Sequence, residues 1–209
     1  MIHPTRSNGA VFKGLKIGLL GGSFNPAHEG HLAMSLYALK RLGLDQIWWL
    51  VSPQNPLKSR REMAPLARRL SEARALLKGQ KRILATGIEA ELGARYTYQT
   101  LAALRRRMPE ARFVWLMGSD NLRQIPRWAR WATLFETVPI AVFRRFGYVC
   151  GRGIGKAATR FASAWQPLAS ASKLGSQKPP AWLALDNRRN LLSGTFLRRR
   201  GFLKRRKED

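Results

Sequence analysis

The sequence is poor in cysteine, in acidic residues and in long hydrophobic runs. Its single cysteine, Cys150, excludes a disulfide within the chain and a zinc site built from several cysteines. A reducing, cytoplasmic location is therefore expected. No apolar run approaches the ~20 residues that a membrane-spanning helix needs, so we expect no membrane partner. Residues 1–13 also lack the apolar core of a signal peptide.

Acidic residues are few, because 12 Asp and Glu stand against 38 Lys and Arg, which gives a formal net charge of +26. Such a charge favours anionic partners, namely nucleotides, phosphorylated metabolites, RNA or an anionic membrane surface. It bears on solubility and association and identifies no activity by itself.

Short apolar runs alternate with amphipathic stretches along the 209 residues, a length that suits one α/β domain with at most a small appendage. This alternation predicts a Rossmann-like, doubly wound parallel sheet with helices on both faces. In such sheets ligands bind beyond the carboxyl ends of the strands. The predicted strands are 16–20, 46–51, 82–86, 113–117 and 140–143. The predicted helices are 31–42, 65–77, 98–107 and a segment about 134–136.

Two stretches differ in composition from the rest of the chain. Residues 151–181 are rich in Gly, Ala, Ser, Lys and Pro, which predicts a flexible surface insert with one short helix around 157–165. Residues 188–209 form a strongly basic C-terminal segment. We expect both stretches to belong to a single domain over 15–209, preceded by an N-terminal extension over 1–14.

A glycine-rich segment follows the first predicted strand and holds two of the three histidines of the chain. Residues 21–31 read Gly-Gly-Ser-Phe-Asn-Pro-Ala-His-Glu-Gly-His. On a helical turn the spacing of His28 and His31 places both imidazoles on one face. Glycines let the backbone approach a phosphate, and a helix start offers N–H groups with a positive dipole end. The segment predicts a polyphosphate site, the alternative being a pair of surface or helix-capping histidines.

Side chains suited to a ribose and to a flat aromatic ring follow further along the chain. Asp120 comes just after the fourth predicted strand, where a carboxylate can accept both hydroxyls of a ribose or cap the next helix. Trp128 and Trp131 are three residues apart. An aromatic face is a platform for a flat ring, which suits Trp128, and we expect Trp131 to lie in the core instead.

Hydroxyl and basic side chains suited to phosphate lie in two other segments. Lys58 follows a proline-bounded loop, where a long flexible cation suits a polyphosphate, although it could equally be one more solvated lysine. Ser193, Thr195 and Arg198 can bind phosphate through hydroxyls and a guanidinium, or can form a capped terminal helix with a basic face.

Taken in order, these segments resemble the bacterial nicotinate-nucleotide adenylyltransferases, a nucleotidyltransferase family with an HxGH motif. The ordered matches extend over residues 16–198, which is nearly the whole chain. Besides residues 21–31, the matching segments are Pro-Gln-Asn-Pro-Leu-Lys at 53–58, Tyr-Thr at 96–97, Gly-Ser-Asp-Asn-Leu at 118–122, Arg-Trp at 127–128, Arg145 and Ser-Gly-Thr-Phe-Leu-Arg at 193–198.

The resemblance implies a nucleotidyltransferase fold with a small C-terminal helical part and an adenylyl transfer from ATP, accompanied by Mg²⁺, to nicotinate mononucleotide. The products would be nicotinate adenine dinucleotide and pyrophosphate, in NAD biosynthesis. His28 and His31 would be catalytic. The implied ATP-binding residues are Gly21, Gly22, Ser23, Phe24, Lys58, Gly118, Asp120, Ser193, Thr195 and Arg198. The implied nicotinate mononucleotide-binding residues are Asn25, Thr97, Trp128 and Arg145.

The chain departs from the family pattern at three positions, where Gln99 replaces an aspartate, Phe146 a proline and Gly194 a serine. These departures leave the acceptor open to a sister activity on nicotinamide mononucleotide or phosphopantetheine. A non-catalytic RNA-binding protein on the same fold is the alternative from another class.

Overall fold

A six-stranded, all-parallel sheet forms the centre of the structure, a computed structural model that describes residues 9–53, 63–144 and 150–186. The strands are β1 (Lys16–Gly22), β2 (Gln46–Val51), β3 (Ile83–Thr86), β4 (Arg112–Gly118), β5 (Ile140–Arg144) and β6 (Trp182–Asp186). Their order across the sheet is β3-β2-β1-β4-β5-β6. The predicted doubly wound parallel sheet is confirmed, and each of the five predicted strands is found with ends within two residues.

Helices connect the strands and cover both faces of the sheet. The α-helices are α1 (Glu29–Leu42), α2 (Leu66–Leu76), α3 (Ile88–Glu91), α4 (Thr97–Arg107), α5 (Ser119–Gln124), α6 (Trp131–Thr137) and α7 (Lys156–Arg160). Apolar residues of α1 and α2 pack into one core cluster, and those of α3 to α7 pack into the cluster on the opposite face. The strands are consequently buried from both sides, as parallel sheets require.

The sixth strand, β6, is not among the five strands predicted from the sequence. It pairs in parallel with β5, from Ile140 opposite Trp182 to Arg144 opposite Asp186. The run Trp-Leu-Ala-Leu is continuously apolar and follows a Pro-Pro pair, which is a signal for a short buried strand. Because this run directly follows residues 151–181, its start is not marked by a change that sets it apart from the predicted insert.

Residues 151–181 were predicted to form a surface insert, and the prediction is wrong for their apolar side chains. The segment contains α7, a 3-10 helix at Ala162–Ala164 and a longer one at Leu168–Ser176. The short helix expected around 157–165 is therefore present in part. Phe161 lies stacked on Phe135 of α6, with ring centroids 4.4 Å apart, and Leu174 is fully buried against the sheet. Small residues such as alanine let this segment pack closely, which composition alone does not reveal.

The single thiol, Cys150, lies in the core cluster beside α7 and is 4% exposed. Burial raises the pKa of this thiol to about 11, against a smaller opposite effect of Arg144. A group that stays a thiol at neutral pH is a poor nucleophile. Separately, no helix within 9–53, 63–144 and 150–186 is both long and apolar enough to span a membrane.

Two glycines of β1 are required by packing rather than by turn geometry. A Cβ atom built on Gly18 would lie 2.8 Å from Leu44 and 2.9 Å from Leu116. A Cβ atom on Gly21 would lie 2.6 Å from the indole ring of Trp115. The sequence predicts that Gly21 lets the backbone approach a phosphate, and the structure provides a steric reason for this glycine that is independent of any ligand.

Substituting Gly21→Ala should lower the free energy of unfolding by about 1–3 kcal/mol, because a rigid buried ring must move to admit the methyl group. Urea denaturation measures the change. The matched control is Gly151→Ala, whose Cβ would meet only the far end of Ile154 at 3.4 Å. An equal midpoint for both variants would contradict the packing argument.

Candidate active site

The histidine segment lies at the topological switch point of the sheet. β1 pairs with β2 on one side and with β4 on the other. The chain leaves β1 toward α1 on one face and leaves β4 toward α5 on the opposite face, so a crevice opens between the two connections. Both connections come from the carboxyl ends of neighbouring strands, which lie about 4.8 Å apart in a sheet. This arrangement brings the histidine segment and the segment with Asp120 to one edge.

His28 and His31 cap the first turn of α1 reciprocally. His28 is the N-cap residue with an extended backbone, and its Nδ1 accepts the N–H of Gly30 at 3.1 Å. The Nδ1 of His31 accepts the N–H of His28 at 3.2 Å. The ring centroids lie 3.8 Å apart with 33° between the planes. The imidazoles are adjacent as expected, through a capping box and not through two positions on one helical face.

This capping arrangement also orients the two rings. In a neutral imidazole one nitrogen accepts and the other carries the hydrogen. Because each Nδ1 accepts a backbone N–H, the hydrogen of each neutral ring is assigned to Nε2. The two histidines thus present N–H donors from one helix start, where the helix dipole favours an anion. The capping role and a phosphate-binding role are compatible.

The turn between β1 and α1 is held by aromatic packing and by a bond to a distant segment. Phe24 has a left-handed backbone, with φ of +44°, which is uncommon for a bulky residue. Its buried ring stacks on Trp49 at 5.0 Å and lies 4.8 Å from the ring of His31. Asn25 accepts the N–H of Ala64 on its Oδ1 at 3.3 Å. With Phe24's ring in the core, its backbone N–H is the group suited to the predicted contact with ATP.

The end of β4 leads directly into α5. Gly118 is the N-cap residue, Ser119 is fully buried, and Asp120 is an acidic residue of the first helical turn. One carboxylate oxygen of Asp120, Oδ1, is buried. The alternative in which Asp120 is itself the N-cap of this helix does not apply, because Gly118 occupies that position.

Two residues predicted to bind the nicotinate mononucleotide lie on neighbouring segments. Thr97 is the first residue of α4, and Trp128 is half-buried at the end of the 3-10 helix Ile125–Arg127, against the same core cluster. Arg130, two residues after Trp128, places its guanidinium 5.2 Å from the ring centroid of Tyr98, the residue after Thr97. Trp131 packs edge-on against Phe135 and, like Trp128, is half-buried against the core cluster and not one of its buried members.

Several predicted site residues lie outside the described residues, so their placement is not reported. These are Lys58, Arg145, Ser193, Thr195 and Arg198, together with the departures Phe146 and Gly194. Within the described residues, no three His, Cys, Asp or Glu side chains are grouped so as to hold a metal ion.

Comparison with known proteins identifies the family. Residues 19–200 match the model of the cytidylyltransferase-like family. A probable nicotinate-nucleotide adenylyltransferase of Cereibacter sphaeroides is 52% identical over 185 residues, which cover 88% of this chain and 97% of the relative. The corresponding protein of Parvibaculum lavamentivorans is 51% identical over 188 residues, covering 90% and 93%. The chain belongs to the nicotinate-nucleotide adenylyltransferase family.

A solved structure has the same fold at much lower identity. Plasmodium falciparum nicotinic acid mononucleotide adenylyltransferase complexed with NaAD matches with a TM-score of 0.67, over 88% of this chain and 83% of that chain, at 16% identity. At this identity the likeness concerns the fold alone.

The departure of this family member at Gln99 has a structural explanation. Gln99 lies in the first turn of α4, and its Oε1 accepts the N–H groups of Tyr96 at 3.0 Å and Arg95 at 2.9 Å. A glutamine at this helical position reaches back to the N-cap backbone as a glutamate would. The start of α4, which carries Thr97, is therefore still capped.

Sequence reasoning missed two buried charged residues beside these segments. Arg69 of α2 is 1% exposed and donates to backbone carbonyls near the histidine segment. Glu89 of α3 is buried and accepts the Thr100 hydroxyl of α4 at 3.1 Å. Neither position has a local pattern that distinguishes it from a surface charge, although Glu89 follows a strand and a glycine closely.

Burial raises the pKa of Glu89 to about 7, although the hydrogen bond from Thr100 acts in the opposite direction. Between pH 4.5 and 7 the folded state then holds a proton that the unfolded state has released, so stability falls as the pH rises through this window. Glu89→Gln should remove that loss and stabilise the protein above pH 7 by about 3 kcal/mol at most.

Chemical denaturation at pH 5 and at pH 8 measures the effect, with Glu91→Gln, an exposed acid on the same helix, as the control. We expect the difference in the free energy of unfolding between pH 5 and pH 8 to be smaller for Glu89→Gln than for the wild type. For the control this difference should equal the wild-type value. If the difference in stability between the wild type and Glu89→Gln were the same at pH 8 as at pH 5, the raised pKa of Glu89 would be contradicted.

Proposed function

We propose that this chain transfers the adenylyl group of ATP to nicotinate mononucleotide, releasing pyrophosphate and forming nicotinate adenine dinucleotide. The observation that carries the proposal is the reciprocal pair of imidazoles, His28 and His31, at a helix start beside the switch point. It occurs in a chain whose relatives at about half identity carry this enzyme name.

The reaction is a displacement at the α-phosphorus of ATP. A 5′-phosphate oxygen of nicotinate mononucleotide forms the new P–O bond, and the bond from the α-phosphorus to the bridging oxygen breaks, so that pyrophosphate leaves with both bonding electrons. The attacking phosphate is already an anion, so no enzyme nucleophile and no proton removal are needed. Positioning and neutralisation of charge therefore supply most of the catalysis.

The two imidazoles act as donors to the phosphate oxygens on which charge develops. Their Nε2–H groups come from one helix start, and the orientation fixed by the Nδ1 bonds requires no rearrangement when ATP binds. The backbone of residues 21–24 contributes further N–H groups, with Ser23 beside them. Lys58, Ser193, Thr195 and Arg198 complete the phosphate contacts in this proposal.

The remaining assignments divide between the two nucleosides. Gly118 and Asp120 bind the adenosine half, with the Asp120 carboxylate accepting ribose hydroxyls. Trp128 stacks on the nicotinate ring, Thr97 reads its carboxylate, and Asn25 and Arg145 contact the rest of the nicotinate mononucleotide. The neighbouring positions of α4 and the Trp128 segment support a common pyridine site.

The metal requirement is a divalent cation, and we propose Mg²⁺ that arrives bound to ATP. Mg²⁺ keeps several of its waters and binds substrate phosphates readily. The cytoplasmic location inferred from the cysteine content stays a prediction.

The acceptor can be tested directly by pyrophosphate release from ATP and Mg²⁺. We expect rapid release with nicotinate mononucleotide and a much lower kcat/KM with nicotinamide mononucleotide or phosphopantetheine. A preference for either of those acceptors would replace the proposed substrate. No release with any acceptor, together with tight and salt-dependent RNA binding, would favour the non-catalytic RNA-binding alternative.

His31→Ala should lower kcat by about 10²–10³-fold, the loss typical of a removed donor to a developing oxyanion. It should also cost ~1 kcal/mol of stability, because it removes one cap of α1. Steady-state kinetics and thermal unfolding are measured on the same preparation. Lys40→Gln, an exposed change in the last turn of α1, is the control and should retain full turnover. A folded His31→Ala protein with wild-type kcat would exclude a catalytic role for this imidazole.

A further inference from the structure

Arg69 is a buried arginine whose guanidinium contacts only backbone carbonyls in the described part of the chain. Its Nη1 donates to Ser23 at 2.6 Å and to Ser52 at 2.8 Å. Its Nη2 donates to Pro53 at 3.1 Å, and its Nε donates to Ala64 at 2.7 Å. No described carboxylate lies within ion-pair distance of it. A charge 1% exposed is costly to bury, so an arrangement of this kind indicates a specific task.

The four carbonyls belong to three segments that meet beside the histidine turn. Ser23 begins the turn after β1, Ser52 and Pro53 follow β2, and Ala64 precedes α2. Asn25, in the same turn, accepts the N–H of Ala64. These contacts close a ring. Arg69 is hydrogen-bonded to Ser23, the backbone leads from Ser23 to Asn25, Asn25 accepts the N–H of Ala64, and the carbonyl of Ala64 accepts a hydrogen bond from Arg69.

The bond to Ser23 fixes the direction of the next N–H group. A peptide unit is planar and trans, so the carbonyl of one residue and the N–H of the next point in opposite directions. With the Ser23 carbonyl held on Arg69, the Phe24 N–H points away from α2. Among the backbone hydrogen bonds of the described residues, none has the Phe24 N–H as donor. The turn also holds Phe24 at a positive φ, which neighbouring contacts must maintain.

Arg69 cannot act on ATP by touching it, because its side chain is buried and engaged with carbonyls. A guanidinium is a planar fork with five donors and can bind carbonyls from several directions at once, whereas a lysine ammonium is a single point charge. The arrangement therefore uses a property of arginine that a general basic residue would not supply.

We propose that Arg69 is a positioning residue of the polyphosphate site, which holds the Ser23–Phe24 peptide so that the Phe24 N–H is directed at bound ATP. The inference rests on the proposed function and extends it to a residue outside the family resemblance described above. Its main consequence is on ATP. Of the proposed nicotinate mononucleotide contacts, Thr97 and Trp128 lie outside the ring, whereas Asn25 belongs to it through the bond from Ala64, so a smaller effect on this substrate is also expected.

The test compares Arg69→Lys with Arg68→Lys, the exposed neighbour on α2 that pairs with Glu72 at 2.9 Å. For Arg69→Lys we expect the KM for ATP to rise about tenfold or more, as small misplacements of a substrate contact do. The KM for nicotinate mononucleotide should change less than threefold. Arg68→Lys should match the wild type in both constants.

A second readout does not depend on turnover. Amide hydrogen exchange of the peptide that contains Phe24 should be slowed by the ATP analogue adenylyl methylenediphosphonate in the wild type, and this protection should be reduced in Arg69→Lys. A purely structural role would lower the unfolding temperature of Arg69→Lys while leaving the ratio of the two KM values and the protection unchanged, and that result would overturn the proposal.

The outcomes separate this inference from the proposed function. If the wild type fails to turn over ATP and nicotinate mononucleotide, the proposed function is wrong, and protection of the Phe24 peptide by the analogue still tests the role of Arg69. If Arg69→Lys does not fold, Arg69→Gln and Arg69→Met take its place in the same measurements. Failure of all three to fold would assign Arg69 to folding alone and would overturn the proposal.

Discussion

The site depends on the central position of β1, which hydrogen-bonds to β2 on one side and to β4 on the other. This double pairing makes β1 the strand at which the winding of the chain reverses, and it opens the crevice between the two connections. Neighbouring side chains crowd the strand from both faces, which is why Gly18 and Gly21 have no room for a methyl group. The histidine turn is thus attached to a strand that is closely packed on both faces.

From this strand the chain passes into α1 through a turn that is held at several points. The two imidazoles cap the helix and are each oriented by a backbone N–H group, Phe24 is anchored on Trp49, and Arg69 binds the carbonyl of Ser23. Each contact comes from a different element, so the geometry of the turn is over-determined. Such preorganisation is what a reaction that relies on positioning and charge neutralisation requires.

The fold and the main site segments could be predicted from the sequence because their signals are local. Apolar runs identify five strands, and the histidine segment follows the first of them. The sixth strand, β6, has the same local signal and was missed only because of the alanine- and glycine-rich stretch before it. Arg69 could not be found in this way. It is one of 38 basic residues, and its burial results from carbonyls of three segments that become neighbours only in the folded chain. The steric reason for Gly21 is equally non-local, since it depends on Trp115 of another strand.

The burial of Cys150 bears on how the molecule meets oxidants and electrophiles. The chain has one sulfhydryl group, and that group is enclosed in the core and protonated at neutral pH. Oxidation and alkylation of cysteine proceed through an accessible thiolate, which this group does not offer while the protein is folded. Cys150 therefore does not react with thiol-labelling reagents in the folded protein. A cysteine introduced on the surface would be labelled alone, without removal of Cys150.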